Sequence, residues 1–173
     1  MLADLLVTAA VLGLVMGTNF MVLEQGQKAY ATGAARVESQ QTARVALTRI
    51  ARDIRTAGSA PTSPAFAAIS VADPDRIVLH RDWNGDGAIA GPRETVRWFL
   101  DGTILRRDAG GGAQPIINGA RSIAFTYYDA AGGTTTTPDD VRSVRVTLTT
   151  APFGVSGTGV TTTVTTHIRL RNR

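Results

Sequence analysis

At 173 residues, with no cysteine and a formal net charge of +4, the chain excludes disulfide stapling and thiolate metal sites. All of its cations except Lys28 are arginine. That excess has two readings, a solvated Arg-rich surface or attraction to polyanions such as DNA or acidic polysaccharide. Few aromatics stand among the basic residues, which argues against a stacking platform for single strands.

The first 23 residues, MLADLLVTAAVLGLVMGTNFMVL, carry no charged side chain from Leu5 to Val22, and Asp4 is the only acid. As a helix rising about 1.5 Å per residue, this run matches the apolar thickness of a bilayer. Asp4 is expensive to bury without a partner. It is expected either to stay wet at the interface or to pair with a positive charge inside a dry bundle. Gly13 and Gly17 interrupt the run. They suit close helix approach, or a locally melted stretch over residues 13–18.

The polar half begins at Glu24, and there is no proline before Pro61. From Ala43 the period is helical. Ala43, Leu47, Ile50, Ile54 and Ala57 share a face, while Arg44, Arg49, Arg52 and Arg55 lie elsewhere. Gly58 is the expected stop, and SAPTSP (residues 59–64) the loop after it.

An acid in the first turn, then LLVTAAVLGLVMG, then a polar helix ending ARVALTRIARDIRTAG resembles the type IV pilin and pseudopilin family. The likeness is closest to J-type pseudopilins and W-type minor pilins, and strongest over residues 1–58. It implies a filament subunit that begins in the inner membrane. There a prepilin peptidase removes a leader, the new N-terminus is methylated, and the subunit then packs with copies of itself or other pilins. The assembly role of the family's acid falls on Asp4, pairing with a neighbouring amino terminus, with Met1 as the equivalent on this chain. The resemblance also favours melting around Gly13 and Gly17 on assembly. Two departures stand: the acid is Asp where the family has Glu, and it is fourth where the family has it fifth. Either one residue precedes Met1 in the mature chain or the register is shifted.

The remainder reads as strands. Alternation is expected over residues 76–81, 94–100, 122–129, 141–150 and 160–171, with Asp101-Gly102 as a hairpin turn. Loops fall at residues 109–113, 130–140 and 151–159. Helix first and strands after predicts an α+β fold, with residues 43–57 covering one face of an antiparallel sheet. The expected divisions are an apolar helix at 1–23, its amphipathic half at 24–58 and a β-rich head at 59–173.

One loop carries possible chemistry. Asp82-Trp83-Asn84-Gly85-Asp86-Gly87-Ala88-Ile89 places oxygen ligands at positions 1, 3 and 5 of a calcium loop, Gly at 6 and an apolar residue at 8. Ala88 is expected to offer its carbonyl. Position 12 is Arg93 where an acid is wanted, and Glu94 comes one residue late. Two readings stand, a structural calcium site on Asp82, Asn84, Asp86, Ala88 and Glu94, or a bare Asx/Gly hairpin connection. His80 and His167 read as half-exposed strand residues. The chain has no G-x-S-x-G elbow, no H-E-x-x-H and no phosphate-cradling loop, so it is not expected to be an enzyme. A filament subunit is the first expectation. A membrane-anchored module whose basic head takes DNA or acidic glycans, with Arg169, Arg171 and Arg173 at its end, is the alternative.

Overall fold

The computed structural model describes residues 1–61, 66–152 and 161–172. Among these residues one α-helix, α1 (Leu2–Thr56), is followed by eight strands. These are β1 (Ile69–Ala72), β2 (Arg76–His80), β3 (Thr95–Asp101), β4 (Ile104–Asp108), β5 (Ala113–Asn118), β6 (Ala120–Tyr128), β7 (Ser143–Thr150) and β8 (Thr162–Arg169). The expected α+β arrangement holds, a long N-terminal helix on antiparallel strands.

The strands make two sheets where the sequence suggested one. β1 to β5 form a meander in chain order, and β6 to β8 form a second. Alternation identifies the buried face of each strand but not its partner, so it cannot tell one sheet from two. Both sheets turn their apolar faces to one core, which α1 closes.

α1 forms because its residues are strong helix formers and proline is absent. It runs unbroken through Gly13 and Gly17, so any melting there belongs to an assembled state. Its residues up to Glu38 lie outside the core, and Leu5, Leu14, Met16, Phe20 and Val22 are well exposed. This stretch is long and apolar enough to cross a membrane. From Ser39 the expected stripe is buried, with Ala43, Ala46, Leu47, Ile50, Ala51 and Ile54 inside. The alanines on that stripe let the helix axis approach the strands closely. The four arginines of the opposite face are exposed.

The helix ends as expected. Ala57 N–H still donates to Asp53 O, and Gly58 takes φ +73°. A Cβ on Gly58 would stand 2.9 Å from Ala68 Cβ, so glycine is required there for space as well as for φ. Gly58 N–H then donates to His80 O, and the Asn172 amide donates to Ala57 O. The two ends of the head therefore meet at the end of the helix.

Asp53 is the acid on the buried stripe, 7% exposed. Arg107 of β4 donates to it from Nε (2.8 Å) and Nη2 (3.2 Å), and Trp98 Nε1 of β3 donates at 2.9 Å. Trp98 is fully buried. On the other sheet the Ser39 and Thr150 hydroxyls lie 2.9 Å apart. Tyr127 of β6 donates from its hydroxyl to Asp73 O and joins the sheets. Burial holds that phenol far above its usual pKa, with Asp73 and Asp75 adding to the shift.

Three further expectations shift. The β3–β4 hairpin turns on Gly102-Thr103, because Asp101 pairs with Ile104 inside the ladder. Only Gly102 has positive φ there (58°), so Asp101 does not need it. Strands β1 and β5 were not expected. β5 carries Pro115, which an edge strand tolerates because one side of its backbone has no ladder to feed. The loop at 130–140 is partly ordered, with Thr134 bridging Tyr128 and a 3-10 turn at Pro138–Asp140. Val160, Arg173 and most of the expected 151–159 loop lie outside the described residues.

Removing the Asp53 carboxylate strands the Arg107 guanidinium and the Trp98 N–H in a dry layer. Asp53→Ala is expected to destabilise the head by about 3 kcal/mol, as for breaking a buried pair. Chemical denaturation of the full chain in neutral detergent, followed by Trp98 fluorescence, measures it.

Candidate metal centre

The β2–β3 hairpin opens into the loop that carries the acidic motif. Arg81 N–H donates to Glu94 O (2.9 Å) and closes the loop's neck, which brings Asp82 and Glu94 together across twelve residues of sequence. Asp82 is buried, and its two carboxylate oxygens accept Gly85 N–H (2.6 Å) and Gly87 N–H (3.0 Å). Gly85 and Gly87 both have positive φ, which is how the backbone folds its N–H groups back onto that carboxylate.

Asp86 accepts Ala88 N–H (2.8 Å) and the Asn84 amide (2.8 Å), and its own N–H donates to Asn84 Oδ1. The Ala88 N–H, then the Asn84 amide, hold the Asp86 carboxyl below the usual carboxylate range, so it stays ionised. Glu94 is 1% exposed. Its Oε2 accepts Ala90 N–H and Gly91 N–H, while Oε1 is buried without a hydrogen-bond partner. Oε1 is the one such side-chain atom among the described residues.

One oxygen from each of Asp82, Asp86 and Glu94 lies within 4.8 Å of the others. Calcium binds oxygen at about 2.3–2.6 Å, so ligands of one ion stand up to about 5 Å apart. The three carboxylates fit that sphere, and three like charges so close repel one another unless a cation sits among them. An unpartnered buried carboxylate oxygen is costly, and a divalent cation is what would satisfy it. The donor set therefore fits a hard cation held by Asp82, Asp86 and the Glu94 carboxylate. Asn84 contributes to loop shape through Asp86, and Ala88 is exposed with its N–H engaged.

The late arrival of Glu94 has a local cause. Arg93 has φ +70°, the one non-glycine residue in the left-handed region among the described residues. That conformation takes up the extra residue and returns Glu94 to the loop. Arg93 N–H is anchored to Ala109 O at 3.1 Å. Gly91 gives the room required, since a Cβ on it would stand 2.9 Å from the Glu94 carboxylate.

Elsewhere, Asp4 Oδ2 lies 2.9 Å from the amino nitrogen of Met1 on the same chain, both fully exposed. His80 Nδ1 lies 3.2 Å from Thr95 Oγ1 and His167 Nε2 lies 2.9 Å from Ser143 Oγ, so the two histidines are separate strand residues. Burial pulls the His80 pKa down. The sequence reading missed Asp53, Arg107 and Trp98 as a unit. An acid at the centre of the helix's apolar stripe, between Ile50 and Ile54, was the available signal.

No protein-family model matches the chain, and no curated protein matches it.

A left-handed arginine is strained where glycine is not. Arg93→Gly is expected to leave the fold intact and to change stability by no more than about 1 kcal/mol, the relief of strain opposing glycine's entropy cost. A thermal melt of the variant beside the parent chain checks it.

Proposed function

We propose that the chain is a structural subunit of a type IV pilus-like filament or of a type II secretion pseudopilus. The observation that carries this reading is the unshared apolar half of α1. One rigid helix leaves the head bearing a long apolar surface that the head does not cover. Such a surface needs lipid before assembly and other helices after it, and the same residues serve both. The resemblance of residues 1–58 to pilins supports the reading, with the inner membrane and a prepilin peptidase as early partners and copies of the chain or other pilins as late ones. Asp4 would then exchange its exposed contact with Met1 for a neighbour's amino terminus, fixing axial register.

In this reading calcium is a structural ion of the head. Asp82, Asp86 and Glu94 would hold it, and it would neutralise their mutual repulsion and lock the β2–β3 loop. An anchored binding module is the second reading. Its specific support is a cluster of arginines beside that loop.

Two outcomes test these proposals. Asp4→Ala is expected to leave the head's melting temperature unchanged and to abolish filaments in a sheared surface fraction imaged by electron microscopy. Normal filament yield would count against the assembly role. Millimolar calcium is expected to raise the melting temperature of the full chain in neutral detergent. Saturation to a hundred times the dissociation constant is worth about 2.7 kcal/mol. Glu94→Gln should erase that rise, and a parent chain whose melt ignores calcium would remove the metal.

A further inference from the structure

The two backbone segments that carry the acidic triad also carry a basic cavity. Arg81 and Trp83 flank Asp82, and Arg93 precedes Glu94. With Arg107, Pro92 and the glycine run at 110–112 they line a cavity of about 470 Å³. The side chains are arranged, not scattered. The Arg81 guanidinium carbon lies 4.8 Å from the centre of the Trp83 ring, and its Nε donates to Arg93 O at 3.0 Å. Arg107 is held from behind by Asp53.

The Nη groups of Arg81 and the whole Arg93 guanidinium make no hydrogen bond or ion pair within the described residues. Trp83 is 59% exposed, so the ring keeps open aromatic surface besides its contact with Arg81. Gly111 and Gly112 of the same lining have open space where a Cβ would stand, so a ligand meets bare backbone there. Arg93, the strained residue, is part of this lining in a conformation that arginine seldom adopts.

We propose that this cavity binds the carboxylate of an acidic sugar residue in a glycan. The guanidinia of Arg93 and Arg81 receive the carboxylate through paired N–H donors, and the apolar face of the sugar ring lies on Trp83. The cavity has the volume of a small-molecule site, enough for a sugar residue and part of its neighbour, and its lining includes Pro92 and the glycine run. A nucleic acid backbone instead asks for cations spaced along an open track, and a single aromatic serves one ring rather than a run of bases.

In one respect the inference rests on the metal reading. Three guanidinia here face four carboxylates, those of Asp53, Asp82, Asp86 and Glu94. A divalent cation in the triad turns that balance positive, and it fixes the segments that carry Arg81, Trp83 and Arg93. Anion affinity should therefore rise with calcium.

The test uses the full chain in neutral detergent with a hyaluronan hexasaccharide as probe, at low ionic strength, in calcium-free and millimolar-calcium buffer. Titration calorimetry reads binding, and fluorescence reads Trp83, since Trp98 is sealed in the core. Saturable binding is expected with calcium, weaker without it, and weakened about tenfold or more by Arg93→Gly and by Trp83→Ala. Arg93→Gly must keep the parent melting temperature for the comparison to count, and Trp83→Ala, at an exposed position, is the second variant.

No hexasaccharide binding in a chain that calcium does stabilise overturns the cavity and leaves the metal standing. Binding that ignores calcium, in a chain whose melt also ignores it, overturns the metal and the coupling while the cavity stands. Full binding by Arg93→Gly overturns the assignment of the site. A duplex oligonucleotide bound with Arg93 dependence, where the hexasaccharide is not, overturns the sugar.

Discussion

The contact on which the architecture depends is the buried carboxylate of Asp53. Apolar stripes tolerate sliding by a turn, because one aliphatic contact replaces another at similar cost. A carboxylate that must meet Trp98 Nε1 and the fork of Arg107 has one acceptable position. It therefore sets where along α1 the first sheet sits, and Ser39 with Thr150 does the same for the second sheet four helical turns earlier. Between these two polar fixings the alanine-rich stripe packs at a defined height.

The β2–β3 loop obeys a related rule. Its acids are brought together by a ladder hydrogen bond at the loop's neck, not by sequence spacing alone. Backbone N–H groups satisfy Asp82 and half of Glu94, leaving one buried oxygen unmatched. A bare Asx/Gly turn uses Glu94 through Oε2 alone and leaves Oε1 without a partner. The triad and the guanidinia behind it share the same short segments, so charge at one is felt at the other.

Much of this was legible in the sequence, and the losses have physical causes. The stripe from Ala43 to Ala57 and the Gly58 stop are strong because helical periodicity and a positive-φ glycine are local properties. The inward residues of β6 and β7, among them Phe125, Val144, Val146 and Leu148, follow from alternation. Strand pairing is not local, so two sheets read as one. β1 is four residues long and β5 contains Pro115, each too weak a pattern to register. The twelve-residue calcium spacing falls on Arg93, and the acid that the fold brings beside Asp82 and Asp86 is Glu94. The difference lies in one backbone torsion at Arg93, which no residue-type preference announces. Asp53 stood in plain view on the stripe, and its partners lie more than forty residues downstream.

The unbroken run of α1 has a mechanical consequence. At about 1.5 Å per residue, 55 residues make a rod some 80 Å long, held by the described residues of the head from Ser39 onward. Such a rod is a lever. Tilting the stretch before Ser39, about 56 Å on that same rise per residue, by about 10° would sweep its free tip through roughly 10 Å. Torque applied at the tip is borne first at Ser39 and Thr150 and then at Asp53, Arg107 and Trp98, because none of the described residues of the head buries the helix before Ser39.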